Sequence, residues 1–375
     1  MKRLVCFLII IGFLPSLTGC GSIYANFREV EDLLVIQALG LDRLPGGIQA
    51  TLASAQEERE PVCMSGVGAS VTAALERANN YSGDERLFFA HINGVLLGEG
   101  AARQGIGEYL SYMCRSTDLI IDMPVFIVRG STANALMTGI GESGKSAADM
   151  LQGIRASRVS RGGSRIFTAV DILRYLARGG SALVTALAAG TAADGLSEGT
   201  TAAVAGYAII KDEKLCGYLD RADADAASLL LNSPGRFDVL VRDSGGASVT
   251  LQVSDGSAGI LPVWGEDGSL TGIDVSVKVS ASLVEKSAFG EVNDGEYADR
   301  LISALESEIA GRIRSVLQKS RELEADFLGL GSLVELTSPL AYRRMPESFL
   351  SRLPQLELRI RVSGALGHTN DIKDA

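Results

Sequence analysis

The chain has 375 residues, of which 45 are acidic and 35 are Lys or Arg, so its formal net charge at pH 7 is −10. This acidic balance, with no basic patch, excludes binding to nucleic acid and electrostatic adhesion to anionic lipid as main functions. The length exceeds what one ordinary core accommodates, which predicts two or three domains. After the N-terminal segment, no apolar run reaches the roughly 18 residues of a membrane-spanning helix, so the remainder is predicted to be globular.

The first twenty residues have the pattern of an exported lipoprotein. The basic start Met1–Arg3 precedes the apolar segment Leu4–Leu14, which is too short to span a bilayer. Residues 17–20, Leu-Thr-Gly-Cys, resemble a bacterial lipobox, whose Cys takes a diacylglyceryl group and becomes the mature N-terminus. We therefore predict that residues 1–19 are a signal peptide and that Cys20 is lipidated and anchors the chain outside a membrane. The alternative is an ordinary signal peptide whose exit happens to hold a Cys.

In the first half of the chain, strands and helices are predicted to alternate. The predicted strands are 33–41, 48–55, 87–98 and 119–128, and the predicted helices are 27–32, 65–81, 101–113 and 131–178. Glycine-rich breaks are expected in the last helical segment at 139–141 and 162–163. This alternation predicts an α/β or α+β domain over residues 20–190.

The segment 179–201 is rich in Ala, Gly, Ser and Thr and is predicted to join the two halves. The second half is predicted to contain two helices, 222–231 and 296–327, and seven strands, 202–210, 215–219, 237–241, 248–253, 260–264, 272–284 and 356–362.

Alternating apolar residues at 249–253 and 273–279 indicate strands with one solvent-exposed face. The long helix carries an apolar stripe, which is predicted to cover the sheet, with a partner-binding seam as the alternative. We predict a second domain, α+β, over residues 200–366. The fold class of the whole chain is predicted to be α+β and multidomain, with mixed β-sheets packed with helices and a long helix near the C-terminus.

Residues 139–146, Gly-Ile-Gly-Glu-Ser-Gly-Lys-Ser, satisfy the pattern of a phosphate-binding P-loop. In such a loop the backbone N–H groups around Gly139 and Gly144 would wrap the phosphates. Lys145 would contact the same phosphates, and the hydroxyl of Ser146 would bind magnesium.

A P-loop also requires a buried strand directly before its first glycine. Residues 132–138 have a helical pattern instead, and the nearest predicted strand ends near Val128. We therefore interpret the match as chance, in a glycine-rich loop where Ser143 or Ser146 caps the next helix. We predict no bound cofactor, and the enzyme alternative would rest on ATP binding by this segment.

No other set of residues predicts a catalytic or metal centre. The sequence has two histidines, His91 and His368, which are too few for a histidine-based metal or proton-transfer site. Asp42 is predicted to be a turn residue after Gly40, and Asp326 is predicted to lie at the C-terminal end of the long helix. The sequence therefore offers no catalytic constellation.

Three cysteines, Cys63, Cys114 and Cys216, remain after the signal peptide and the lipidated position. Their spacing matches no metal-binding motif. An exported compartment permits a disulfide, but three thiols leave one over, and burial among apolar residues is the favoured prediction.

Several segments, in chain order, resemble the C-subunit lipoproteins of spore nutrient germinant receptors, the Ger(x)C family. The matching segments are Arg-Glu-Val-Glu-Asp-Leu at 28–33 leading to Gly-Leu-Asp at 40–42, then 91–106, 115–118 with 125–130, 206–210 with 215–219, 326–331 and 361–364. The sequence departs from the family pattern at Phe27, near a common Trp, and at Leu328 and Leu330 in the closing block. These are apolar-for-apolar exchanges.

The resemblance implies a non-enzymatic subunit that is anchored through Cys20 to the outer face of the inner spore membrane. It implies two partners, an A subunit with a soluble domain and membrane helices, and a many-helix B subunit similar to amino-acid transporters. Together they would sense nutrients and trigger germination. The alternative is a solute-binding lipoprotein of a transporter, which would need two similar α/β lobes around a cleft. One Trp, 6% aromatic residues and the β-rich second half disfavour that alternative.

Overall fold

The computed structural model describes residues 33–54, 62–81, 86–89, 92–161, 165–191, 200–242, 246–287, 295–345 and 348–367. The predicted signal peptide, Cys20, the predicted helix 27–32, the predicted break 162–163 and both histidines lie outside the described residues.

Strands and helices account for most of the described chain. The strands are β1 (Leu33–Val35), β2 (Ala38–Leu44), β3 (Gly47–Ser54), β4 (Val62–Gly68), β5 (Arg86–Phe88), β6 (Gly94–Gly98), β7 (Val125–Arg129), β8 (Ser181–Thr191), β9 (Thr200–Lys211), β10 (Lys214–Leu219), β11 (Phe237–Arg242), β12 (Ser248–Trp264), β13 (Leu270–Lys286) and β14 (Glu357–Leu366). The helices are α1 (Val71–Asn79), α2 (Glu99–Gln104), α3 (Gly107–Arg115), α4 (Ala133–Glu142), α5 (Ala147–Arg161), α6 (Ala169–Gly179), α7 (Arg221–Leu230), α8 (Gly295–Glu322), α9 (Leu330–Thr337), α10 (Pro339–Arg344) and α11 (Phe349–Arg352).

An eight-stranded mixed sheet has the order β10-β9-β8-β7-β6-β2-β3-β4. Its centre is parallel, from β2 through β6 and β7 to β8, and its edges are antiparallel. Helices cover both faces: Val125 and Ile127 of β7 share a core with α2, α3 and α6, while Phe126 and Val128 pack with α4 and α5. Coverage of both faces explains the unbroken apolar runs of its central strands.

A four-stranded sheet has the order β11-β12-β13-β14, with antiparallel pairs except for the parallel pair β13–β14. Burial alternates along β11, and the predicted alternation at 249–253 and 273–279 is confirmed in β12 and β13, as in a sheet with one exposed face. The long helix α8 contacts β11 and β14. The predicted apolar stripe of α8 is confirmed, since its members are all buried: Tyr297, Leu301, Leu305, Ile309, Ile313 and Val316. The predicted fold class, α+β with mixed sheets packed with helices and a long helix near the C-terminus, is confirmed.

The predicted join at 179–201 is wrong in one respect, because β8 occupies 181–191. Most of its side chains are small, yet Ala182, Val184 and Ala186 are fully buried. β8 lies between β7 and β9 in the eight-stranded sheet, so β9 and β10 also belong to that sheet. The division into domains 20–190 and 200–366 stays a prediction.

Several predicted elements of the first half are divided differently in the structure. The predicted strands 33–41 and 87–98 each contain parts of two strands, and the predicted helical segment 131–178 contains α4, α5 and most of α6. Residues 65–81 form the end of β4 and then α1, because Ser70 caps α1 by accepting a hydrogen bond from the Ala73 N–H. The predicted helix 101–113 is two helices, α2 and α3, separated at Gly105, whose φ of +142° favours glycine. Of the predicted strand 119–128, only the last residues form a strand, as part of β7 (Val125–Arg129).

Candidate functional site

A cleft of about 880 Å³ lies between elements of the two sheets. One wall comes from α5 and the beginning of β9, which belong to the larger sheet and its helices. The other comes from α7, α8 and the β11–β12 edge of the smaller sheet. The volume lies within the range of roughly 300–1,000 Å³ that is usual for small-molecule sites.

Charged residues from several helices and strands line this cleft. They are four arginines, Arg158, Arg221, Arg236 and Arg312, and two aspartates, Asp225 and Asp238. The lining therefore has a positive formal balance in a chain whose overall formal charge is −10. Such a local reversal of sign concentrates anions at a cleft.

Some of these charges are already compensated. The Arg312 Nε lies 3.0 Å from Oε1 of Glu308, one helical turn earlier on α8. The Gln252 Nε2 donates a 3.0 Å hydrogen bond to Oδ1 of Asp238. Within the described parts of the chain, Arg158, Arg221 and Arg236 form no salt bridge, so they supply the uncompensated positive charge.

Arg158 is the most enclosed of these three arginines. One terminal nitrogen donates a 3.0 Å hydrogen bond to the Ser233 hydroxyl, while its buried Nε has no hydrogen-bond partner among the described residues. Burial lowers the pKa of the Arg158 guanidinium. Close by, the buried Tyr207 hydroxyl lies 2.7 Å from Ser228 Oγ, and burial raises the pKa of Tyr207. The protonated guanidinium is therefore poorly solvated, and an anion would stabilise it.

No local sequence signal marks this cleft. Its arginines are far apart in the chain and follow no motif, so only a prediction of how α5, α7 and β11 pack could have found them. The described lining contains no His or Cys.

The P-loop-like segment does not form a loop around its glycines. Gly139 lies inside α4, which extends to Glu142, so the predicted glycine-rich break at 139–141 is wrong. The helical path ends before Gly144, whose φ is +70°. Lys145 follows in the short connection, and the Ser146 Oγ accepts a 3.1 Å hydrogen bond from the Ala148 N–H. A helix thus precedes this segment, where a phosphate-binding loop would need a strand.

Asp42 and Asp326 have the same structural role, which differs from both predictions. Asp42 lies within β2, not in a turn, and accepts hydrogen bonds from the N–H groups of Ala133 (2.9 Å) and Asn134 (2.8 Å) at the start of α4. Asp326 follows α8 and accepts from the N–H groups at the start of α9, those of residues 330 and 331.

Each of these two carboxylates is buried and satisfies N–H groups that a helix leaves without intrahelical partners. Burial raises the pKa of both carboxyl groups, and the backbone hydrogen bonds oppose that shift. The sequence could not reveal this, because Asp42 and its partners are separated by some ninety positions.

The three cysteines of the folded region are exposed and free, so the prediction of burial is wrong. Cys63 lies on the edge strand β4, Cys114 on α3 and Cys216 on the edge strand β10. In the described ranges, no three His, Cys, Asp or Glu side chains are grouped so as to hold a metal ion. No described helix has both the length and the apolar character needed to cross a membrane.

Two family models match this chain. The spore germination protein N-terminal domain matches residues 26–189, and the spore germination B3/GerAC-like C-terminal domain matches residues 205–369. The chain is similar to spore germination protein KC of Bacillus subtilis (strain 168), with 23% identity over 372 residues and 91% of each chain covered. It also resembles the crystal structure of the GerBC protein, with a TM-score of 0.56 and 17% identity over 88% of this chain and 97% of that one. At this identity the likeness shows a shared fold.

Proposed function

The chain belongs to the family of GerAC-like spore germination proteins, and from this premise we propose that it is the lipid-anchored subunit of a spore nutrient germinant receptor. The observation that carries the proposal is that the two family models together match nearly the whole chain beyond the predicted signal peptide. The family is not a known enzyme family, and we propose that this subunit acts by contact with partners.

The lipobox-like segment 17–20 supports the proposed anchor. A diacylglyceryl group with a further acyl chain on Cys20 would hold the folded domains stably at a membrane, which a single acyl chain would not. The formal net charge of −10 disfavours replacement of the lipid by electrostatic binding to anionic headgroups. We therefore propose that Cys20 fixes the location, at the outer face of the inner spore membrane.

The proposed partners are the membrane-embedded A and B subunits of the receptor. The folded domains would supply the contact surface, and nutrient binding by the complex would trigger germination. The alternative, a solute-binding lipoprotein of a transporter, is not favoured by the fold, because the two sheets differ in strand number and in the coverage of their faces. Two similar lobes would be expected of such a protein.

The test is nutrient-triggered dipicolinate release from spores whose only receptor for that nutrient contains this subunit. We expect Cys20→Ala to abolish most of the response while the protein is still made. Cys114→Ala, which removes an exposed thiol from the folded region, is the matched control and should respond like the wild type.

A normal response from Cys20→Ala spores would contradict the proposed anchor. Deletion of the whole subunit then decides the rest of the proposal. Spores that still respond without the subunit would contradict a receptor role, whereas loss of the response on deletion alone would show that docking to partners is sufficient to hold it.

A further inference from the structure

We infer that the cleft between the two sheets binds a small organic anion, a carboxylate that carries an apolar body, through Arg158, Arg221 and Arg236. This inference goes beyond the proposed function, since it concerns a ligand site on this subunit. It can be tested on the purified protein, independently of germination.

The first argument is the charge of the lining. These three arginines come from α5, from α7 and from the residue directly before β11, and they line one cleft, which Asp225 and Asp238 also line, without forming a salt bridge within the described residues. A bound anion would give these cationic side chains a partner of opposite charge. A guanidinium presents paired N–H donors that match the two oxygens of a carboxylate.

The second argument is the position of Arg158 relative to the other two. Its Nε is buried and has no partner within the described chain, whereas Arg221 and Arg236 are exposed at the edge of the cleft. A carboxylate that enters the cleft beside Arg158 would stabilise its poorly solvated guanidinium. The exposed pair would then contact the same anion from the solvent side.

The third argument concerns the rest of the ligand. Apolar side chains line the cleft beside Arg158: Met150, Ile154, Ile166, Val204 and Phe237. A site with a few converging polar groups and an apolar wall is typical of small-molecule binding. An inorganic anion would leave this wall in contact with water, so the lining fits an anion that carries an apolar body.

Isothermal titration calorimetry on the full chain in detergent, at low salt, tests this with benzoate as the probe and benzamide as its neutral isostere. We expect saturable binding of benzoate, and binding of benzamide that is weaker by about tenfold or more, because the charge-assisted hydrogen bonds are lost. Added salt should weaken the binding of benzoate but not that of the neutral benzamide.

Two substitutions and a matched control locate the site. Arg236→Gln and Arg158→Gln should each weaken benzoate binding by about tenfold. Arg314→Gln removes an exposed arginine from α8 outside the cleft, and it should leave binding unchanged. Because Arg236 is exposed, its variant keeps the test valid even if the Arg158 variant fails to fold.

Three outcomes would overturn the inference: no saturable benzoate binding by the folded wild type, equal affinities for benzoate and benzamide, or equal losses in the Arg236 and Arg314 variants. The first would mean that the cleft does not bind aromatic carboxylates, and the second that only its apolar wall binds. The third would mean that the anion binds elsewhere.

Discussion

The two sheets of this protein differ in how many of their faces are covered. In the eight-stranded sheet, every residue from Val125 to Val128 of β7 is buried, because helices pack on both sides. In the four-stranded sheet, β11 alternates between buried and exposed residues, because α8 covers one face only. The contrast shows that an apolar side chain stabilises a strand only if the face on which it lies is covered.

The largest difference in the free energy of unfolding is expected between substitutions at a buried position of the eight-stranded sheet and at an exposed position of the four-stranded sheet. Phe126 is fully buried on β7 and packs against Gly94 and α5, so Phe126→Ala should lower the free energy of unfolding by about 3–5 kcal/mol. Leu240 on β11 is 63% exposed, so Leu240→Ala should change it by less than about 0.5 kcal/mol. Denaturant unfolding followed by circular dichroism measures both.

Trp264 lies on β12, and it is the one Trp of the sequence, so its fluorescence reports on the smaller sheet. If the two sheets unfold together, Phe126→Ala shifts the fluorescence and circular dichroism transitions equally. An unchanged fluorescence midpoint would show that the smaller sheet unfolds independently. Equal losses from Phe126→Ala and Leu240→Ala would contradict the difference in coverage.

A second pair of substitutions compares the helix packing on each sheet. A Cβ at Gly66 of β4 would lie 2.3 Å from the Ala74 carbonyl oxygen of α1, so Gly66→Ala should destabilise by about 1–3 kcal/mol. A Cβ at Gly311 of α8 would meet no other side chain within 4 Å, so Gly311→Ala should stabilise by about 0.5–1 kcal/mol. The melting temperatures should move in opposite directions, and a shared direction would contradict the two packing geometries.

Asp42 provides a test with a pH dependence. Asn can accept only one of its two hydrogen bonds from α4, so Asp42→Asn should cost about 1–3 kcal/mol. Burial raises the pKa of Asp42 above its usual 3.8, so the folded state keeps this proton to a higher pH than the unfolded chain. The contribution of this carboxyl to the free energy of unfolding therefore decreases as the pH rises from about 4 through the folded pKa.

Denaturant midpoints measured across that pH range test the direction of the pKa shift of Asp42. The difference in stability between the wild type and Asp42→Asn should become smaller as the pH rises, since the Asn variant lacks the titration. A difference that grows with pH would mean that the folded pKa is lowered. Asp326→Asn is the counterpart at the start of α9, where the buried carboxyl has the same role and the same direction of pKa shift.

The smallest effect is expected on the exposed surface of α8. The ion pair between Arg300 and Glu296 is solvent-exposed, with 45% and 78% of the two side chains accessible. Arg300→Gln should therefore change the free energy of unfolding by no more than about 0.5 kcal/mol, and added salt should reduce even that. A loss above about 1 kcal/mol would show that this side chain has a packing role.

Local periodicity determined much of the fold from the sequence alone. The stripe of α8, the alternation along β12 and β13, and the strands β9 and β10 depend on neighbouring residues, so a single segment predicts them. The family resemblance likewise rests on short segments in order along the chain, and the family models match residues 26–189 and 205–369.

Only the tertiary structure decided which distant residues meet. The small side chains of β8 predict a linker when considered alone, but helices on both faces of the sheet make that strand part of the core. Asp42 reaches α4 across the sheet, and the cleft arginines converge from α5, α7 and the start of β11. Hydrophobic periodicity indicates which face of a helix or strand is buried. It does not indicate which element packs on that face, because that depends on contacts between residues far apart in the chain.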